Sequence, residues 1–239
     1  MVTEDKAARF YPVTKALLGP ASRRLWKTKV TGLDGVPDSG PVIVAANHIS
    51  FLDSTLLMGL LPRQIRFVGK AEYMDDWKTK HLFPAMGMIP IDRSGGSASH
   101  KALDAAAEVL DNGGIFGIYP EGTRSRDGRL YKGRTGVARL ALRTGAVVVP
   151  VGIVGTDKIQ PPGARAPKLF LKCEFNFGRP ISPTRYKKRV DDGRVFRELT
   201  DEIMFEIREL CGQEYVHHYA GKPDSGETTQ TSAEALRAG

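Results

Sequence analysis

Cysteine is nearly absent, with Cys173 and Cys211 the only two in 239 residues. Two are too few for a disulfide scaffold and too far apart for a zinc ribbon, which points to a reducing compartment. Acidic residues are also in deficit, 27 against 35 lysines and arginines, for a net charge of +8. Long apolar runs are missing as well. The longest uncharged stretches, 39–52 and 144–156, fall short of the roughly 18 apolar residues that a spanning helix needs. No signal-peptide core is visible, because Asp5, Lys6, Arg9 and Lys15 break up the first twenty residues. The 41% hydrophobic fraction and 26 glycines, by contrast, are ordinary for a globular protein and exclude wholesale disorder. The length suits one large α/β domain or two small ones.

A surplus of cations implies a polyanionic partner: nucleic acid, an anionic membrane surface or a phosphorylated substrate. Residues 1–29 hold seven cations, Lys6, Arg9, Lys15, Arg23, Arg24, Lys27 and Lys29, against Glu4 and Asp5. Phe10, Tyr11, Val13, Leu17, Leu18, Leu25 and Trp26 lie among them. Such a segment can lie in a headgroup layer, or it can pack on the domain with a solvated basic face. The sequence leaves both readings open.

Short apolar runs alternate with segments of helical period, which predicts an α/β fold with a central, mostly parallel sheet flanked by helices. Strands are expected at 42–46, 65–68, 88–91, 115–119 and 147–153. Helices are expected at 99–112, where Leu103, Ala106, Ala107 and Leu110 share a face, and at 135–144. A closing helix should carry the stripe Phe196, Leu199, Ile203, Ile207 and Leu210. Residues 169–177 alternate apolar and polar, as a half-exposed strand near a sheet edge would, with Cys173 facing inward. Pro150 in the fifth strand suggests a bulge or bend. Three segments follow: an amphipathic helical one over 1–30, a catalytic domain over 31–220 and a mobile polar tail over 221–239.

Three charged clusters follow predicted strands, one of them the pair Asp92 and Arg93 that ends GMIPIDR. In AANHISFLDSTLL, His48 lies in the loop after a strand and Asp53 at or near a helix start, where a carboxylate is favoured. Five residues apart on one helix they would diverge by about 140°, so they can meet only across such a bend. The carboxylate would then fix one imidazole nitrogen and free the other to take a proton. A merely satisfied polar histidine gives the same sequence. In GGIFGIYPEGTRS, Glu121, Gly122, Thr123 and Arg124 follow a very apolar strand, where open α/β sheets bind ligands. Arg124 can grip a phosphate bidentately, and Gly122 lets backbone N–H groups come close. The alternative is a turn closed by a Glu121–Arg124 surface pair. The run GRLYKGRT is one substitution short of a P-loop, with Arg134 in the lysine position, but follows a charged turn rather than a strand, which rules that reading out. His217 and His218 have no partners at metal-ligand spacing.

Four blocks in order, NHISFLD, GMIPIDR, YPEGTRS and VVVPVGI, resemble those of the glycerolipid acyltransferases of NHxxxxD type. The likeness spans roughly residues 35–185 and is greatest to the bacterial 1-acyl-glycerol-3-phosphate acyltransferases. Pro90 stands where a large apolar residue is common in that family. The resemblance implies that His48 is the general base, oriented by Asp53, and that Lys70 lies near the reacting carbonyl. It places Arg93, Glu121, Gly122, Thr123 and Arg124 around the acceptor, with both arginines on its phosphate and Glu121 bonding an acceptor hydroxyl or holding Arg124. The expected reaction transfers an acyl chain from acyl-CoA or acyl carrier protein to lysophosphatidic acid, with no metal and no further cofactor. The expected setting is peripheral or monotopic, on an anionic membrane surface at the cytoplasmic face, without nucleic acid. Glycerol 3-phosphate or another lipid hydroxyl is the alternative acceptor. A basic non-catalytic membrane- or nucleic-acid-binding module is the alternative of another class.

Overall fold

A computed structural model describes residues 4–70, 87–91, 98–164, 166–189 and 192–221. Nine strands are present among them: β1 (Lys29–Thr31), β2 (Val42–Ala46), β3 (Ile65–Lys70), β4 (Met88–Ile91), β5 (Ile115–Ile118), β6 (Leu130–Tyr131), β7 (Val147–Val154), β8 (Glu174–Phe177) and β9 (Tyr215–Val216). The α-helices are α1 (Glu4–Trp26), α2 (Leu52–Leu60), α3 (Ala98–Asp111), α4 (Gly136–Thr144), α5 (Thr156–Ile159) and α6 (Arg194–Cys211). Seven strands form one sheet in the order β1-β8-β7-β2-β5-β3-β4, and β6 pairs with β9 apart from it. All pairs in the large sheet are parallel except β7 with β8. The expected α/β fold with a mostly parallel sheet is therefore observed.

The central strands read as unbroken apolar runs because both faces are covered. Along β2, Val42, Val44 and Ala46 join a core shared with Leu56 and Leu57 of α2. Ile43 and Ala45 point the other way, into a core with Ala106 of α3, Val137 of α4 and Ile203 of α6. Gly152 of β7 lets α6 lie directly on the sheet, since a Cβ there would collide with the backbone of Leu210.

Pro150 sits inside β7, opposite Ala45. On its other side, pairing runs from Val148↔Ile181 to Val151↔Phe177, so three steps along β7 match four on the partner. One extra partner residue bulges out beside the strand position that has no N–H to give. Pro90 is exposed on β4, an edge strand, where proline is tolerated.

One expectation requires correction. The strand expected at 169–177 begins only at Glu174, while Leu169 and Phe170 are 50% and 67% exposed. Phe170 has φ 64°, which breaks extended backbone, so the apolar alternation at 169–173 belongs to a loop. β8 itself lies next to the edge strand β1 and alternates half-buried with buried residues, as expected of a half-exposed strand near a sheet edge. Cys173 is buried, as expected of a core residue. The tail beyond residue 221 lies outside the described residues.

α1 packs on α2. Tyr11 is buried and donates its hydroxyl to the carbonyl of Met58, and Ser22 is also buried. Gly19 and Gly59 bring the two helices close, with 3.0 Å between a Cβ built at Gly19 and the Gly59 carbonyl oxygen. The opposite face of α1 exposes Pro12, Val13, Ala16, Leu17 and Pro20, ending at Arg23 and Arg24. Among the described side chains, this outward stripe is apolar from Pro12 to Pro20 and then basic at Arg23 and Arg24. Among the described residues, no helix is long and apolar enough to cross a membrane.

Candidate active site

Three parallel strands, β2, β5 and β7, end on the same side of the sheet and deliver the loops that build the site. After β2, the chain runs through Asn47 and His48 into α2. Asn47 is fully buried and ties β2 to β7, donating to the Ile153 carbonyl at 2.8 Å and accepting from the Ile153 amide at 2.7 Å. That clamp fixes where His48 begins.

His48 Nδ1 lies 2.9 Å from Asp53 Oδ2. Asp53 is the second residue of α2 and completely buried, yet its carboxylate is fully engaged. Oδ2 also accepts the amides of Ile49 and Ser50 at 2.8 Å each, and Oδ1 accepts the Thr156 hydroxyl at 2.6 Å. The two amides belong to the bend that lets His48 turn back on Asp53. Because every other neighbour donates to this carboxylate, Nδ1 carries the proton and donates as well. No partner for Nε2 stands among the described residues, and the His48 side chain is 18% exposed. The imidazole is therefore oriented on one nitrogen and open on the other.

Tyr119, directly after β5, stacks on the His48 ring at 3.9 Å between centroids and 9° between planes. Its hydroxyl bonds to that of Ser54 at 2.8 Å, and Phe67 stacks behind it at 5.7 Å. Removal from water, with the charge of Asp53 adding to it, pushes the Tyr119 phenol well above its usual range. Gly117 makes room for this stack, since a Cβ there would collide with the Phe67 ring.

Glu121 is 1% exposed. Oε1 accepts the His48 amide at 3.1 Å and Oε2 the Tyr131 amide at 2.9 Å. Burial raises its carboxyl to about 7, against the opposing pull of those two amides. It forms no pair with Arg124, which is exposed and has no side-chain partner among the described residues. Gly122 turns with φ 78°, a conformation suited to glycine, and its amide bonds the Tyr119 carbonyl at 2.9 Å. Thr123 is half-buried, and the buried Ser125 closes the turn by donating its amide to the His48 carbonyl at 2.7 Å.

The structure thus brings His48, Asp53, Glu121 and the turn at 122–125 together. Lys70 ends β3 opposite Ile91, with its side chain outside the description. Arg93 lies outside the described residues. Thr156 and Tyr119 were not singled out from sequence. Thr156 stands 103 positions from its carboxylate, and no local spacing signals such a bond. Tyr119 could have been suspected, because an aromatic at the end of a buried strand beside the charged turn must face something.

The model of the family described as Acyltransferase matches residues 27–154, more than half of the chain. This chain belongs to the acyltransferase family. It is 34% identical over 140 residues to the chloroplast 1-acyl-sn-glycerol-3-phosphate acyltransferase of Arabidopsis thaliana, a match covering 58% of this chain and 39% of that protein. It is 28% identical over 131 residues to the 1-acyl-sn-glycerol-3-phosphate acyltransferase of Borreliella burgdorferi, covering 55% and 52%. The chain thus spans about half or less of the length of these curated relatives. The crystal structure of the 1-acyl-sn-glycerophosphate acyltransferase of Thermotoga maritima resembles it at a TM-score of 0.64 and 26% identity, over 85% of this chain and 79% of that one. The part of the chain that matches the family encloses His48, Asp53 and the whole turn after β5.

Proposed function

We propose that this acyltransferase moves an acyl chain from a thioester, acyl-CoA or acyl carrier protein, to the free hydroxyl of lysophosphatidic acid. The observation that carries the reading is the His48–Asp53 pair at 2.9 Å, oriented on the buried side and open on the other. The relatives' names supply the acceptor. Nε2 takes the proton of the acceptor hydroxyl while its oxygen attacks the thioester carbonyl. The carbon–sulfur bond then breaks, and the thiolate recovers the proton from the imidazolium. Asp53 steadies that cation and the ring's orientation. Positioned general-base help contributes on the order of 10²–10⁴ in rate, so orientation and oxyanion stabilisation supply the rest. We assign Lys70 to the oxyanion and Arg93 and Arg124 to the acceptor phosphate, with Gly122 and Thr123 shaping the turn around it. Glu121 acts as a positioning residue, pinning the His48 amide from inside.

The outward stripe of α1, with Arg23 and Arg24 at its end, supports peripheral attachment to an anionic membrane surface. Thiol release from palmitoyl-CoA with lysophosphatidic acid tests the chemistry. His48→Ala should abolish release while the protein stays folded; turnover comparable to wild type would overturn the assignment. Arg124→Lys should weaken phosphate-bearing acceptors more than glycerolipid acceptors without phosphate, because lysine lacks the planar fork. Equal losses on both would remove Arg124 from the phosphate.

A further inference from the structure

We infer that the loop at 168–172 is a second interfacial anchor, seating Leu169 and Phe170 in an anionic lipid bilayer beside the outward face of α1; this rests on the membrane reading above. The loop reads Lys-Leu-Phe-Leu-Lys, and the first two of its three apolar side chains, Leu169 and Phe170, are 50% and 67% exposed. A bulky residue at φ 64° is costly, and here the cost holds an aromatic ring out in water. The loop is nonetheless fastened. The Phe170 amide donates to the Leu25 carbonyl at 2.7 Å, and Trp26 Nε1 donates to the Lys168 carbonyl at 2.8 Å. Both bonds reach the C-terminal end of α1, so the apolar tip stands next to the helix whose exposed stripe ends at Arg23 and Arg24.

Charge decides the occupant. Arg23, Arg24, Lys27, Lys168 and Lys172 are all exposed on the two segments that these bonds join, and neither 20–33 nor 158–173 contains an acidic residue. Exposed apolar side chains flanked by cations match acyl chains under anionic headgroups. A second copy of the chain would set five cations against five, which disfavours self-association there. The loop also reaches inward. Lys168 and Leu171 line a cavity of about 580 Å³ together with Ile49 and Ser125, the neighbours of His48 in sequence and in hydrogen bonding. Seating the tip in the bilayer therefore brings the mouth of that cavity to the surface where a lipid acceptor lies.

The test is sedimentation of the full chain with phosphatidylcholine vesicles, with and without phosphatidylglycerol, at low salt. A Leu169→Ser/Phe170→Asn double variant, with asparagine chosen because it tolerates left-handed backbone, should bind anionic vesicles about tenfold more weakly. Its turnover of a water-soluble short-chain acceptor should be unchanged. A separate Phe170→Trp variant should bind as wild type and gain indole fluorescence that brominated lipid quenches. Equal binding by wild type and the double variant, or no added quenching at position 170, would overturn the anchor. Failure of the wild type itself to bind would overturn the α1 reading with it. Activity on the soluble acceptor reports separately on acyl transfer.

Discussion

Asp53 accepts four hydrogen bonds while fully buried, and the one from Thr156 alone holds its second oxygen. Thr156→Val keeps the shape and removes that donor. We expect a loss of about 1–2 kcal/mol in stability and roughly a tenfold fall in kcat with little change in KM, because the carboxylate can then rotate away from His48. Thr156→Ser should restore both, and a variant altered in KM alone would argue against a positioning role. Glu121 makes a different prediction. Its carboxyl is raised from 4.5 to about 7 in the folded protein, so the folded state holds the proton more tightly than the unfolded one. The resulting stabilisation is complete below about pH 4.5 and is lost as pH rises toward 7, by about 3 kcal/mol at most. Denaturant unfolding at about pH 5 and about pH 8 should show this component in wild type and its absence in Glu121→Gln. Parallel slopes in the two proteins would contradict it. At this scale the His48–Asp53 pair was legible, because a five-residue offset across a strand-to-helix bend is local geometry. The role of Glu121 as a clip on backbone amides was not. Residue type shows a carboxylate's charge but not which donors a fold aims at it.

Among elements, legibility followed burial. β2 and β7 are covered on both faces, so their sequences are continuous apolar runs that only a buried strand or helix segment could use. The short strands β1, β6 and β9 have only two or three residues each and were not expected, since so few positions show no period. The loop at 169–173 deceived for the opposite reason. Its apolar side chains alternate, but Leu169 and Phe170 face water while Cys173 faces the core. Gly152 supplies the prediction at this scale. Its missing Cβ is what lets α6 lie against β7, and a collision with the backbone of Leu210 cannot be relieved by rotating a side chain. Gly152→Ala should therefore cost on the order of 1–3 kcal/mol despite the gain expected from lowering chain entropy. Thermal unfolding reads this directly. A neutral or stabilised variant would mean that α6 shifts freely on the sheet.

For the whole molecule, catalysis on a lipid depends on which way the domain faces the surface. The exposed apolar stripe of α1 lies on the side of that helix away from α2, and α2 begins at the Asp53 turn, so one packed helix pair links the outer face to the site. Deleting α1 to test this would uncover the buried contacts of Tyr11 and Ser22 and confound attachment with unfolding. Val13→Glu/Leu17→Glu keeps those contacts and places two carboxylates on the outward stripe. This variant should lose binding to anionic vesicles by at least about tenfold and lose turnover of bilayer-embedded acceptor in proportion, while a soluble acceptor is turned over as before. Salt should act on the same term in wild type, because exposed cations are screened over about 10 Å at 0.1 M ionic strength and about 3 Å at 1 M. Raising ionic strength through that range should release the protein from vesicles and slow only the membrane-bound reaction. If salt and the two glutamates slow both reactions alike, the stripe serves folding rather than attachment, and the link between surface charge and lipid access fails.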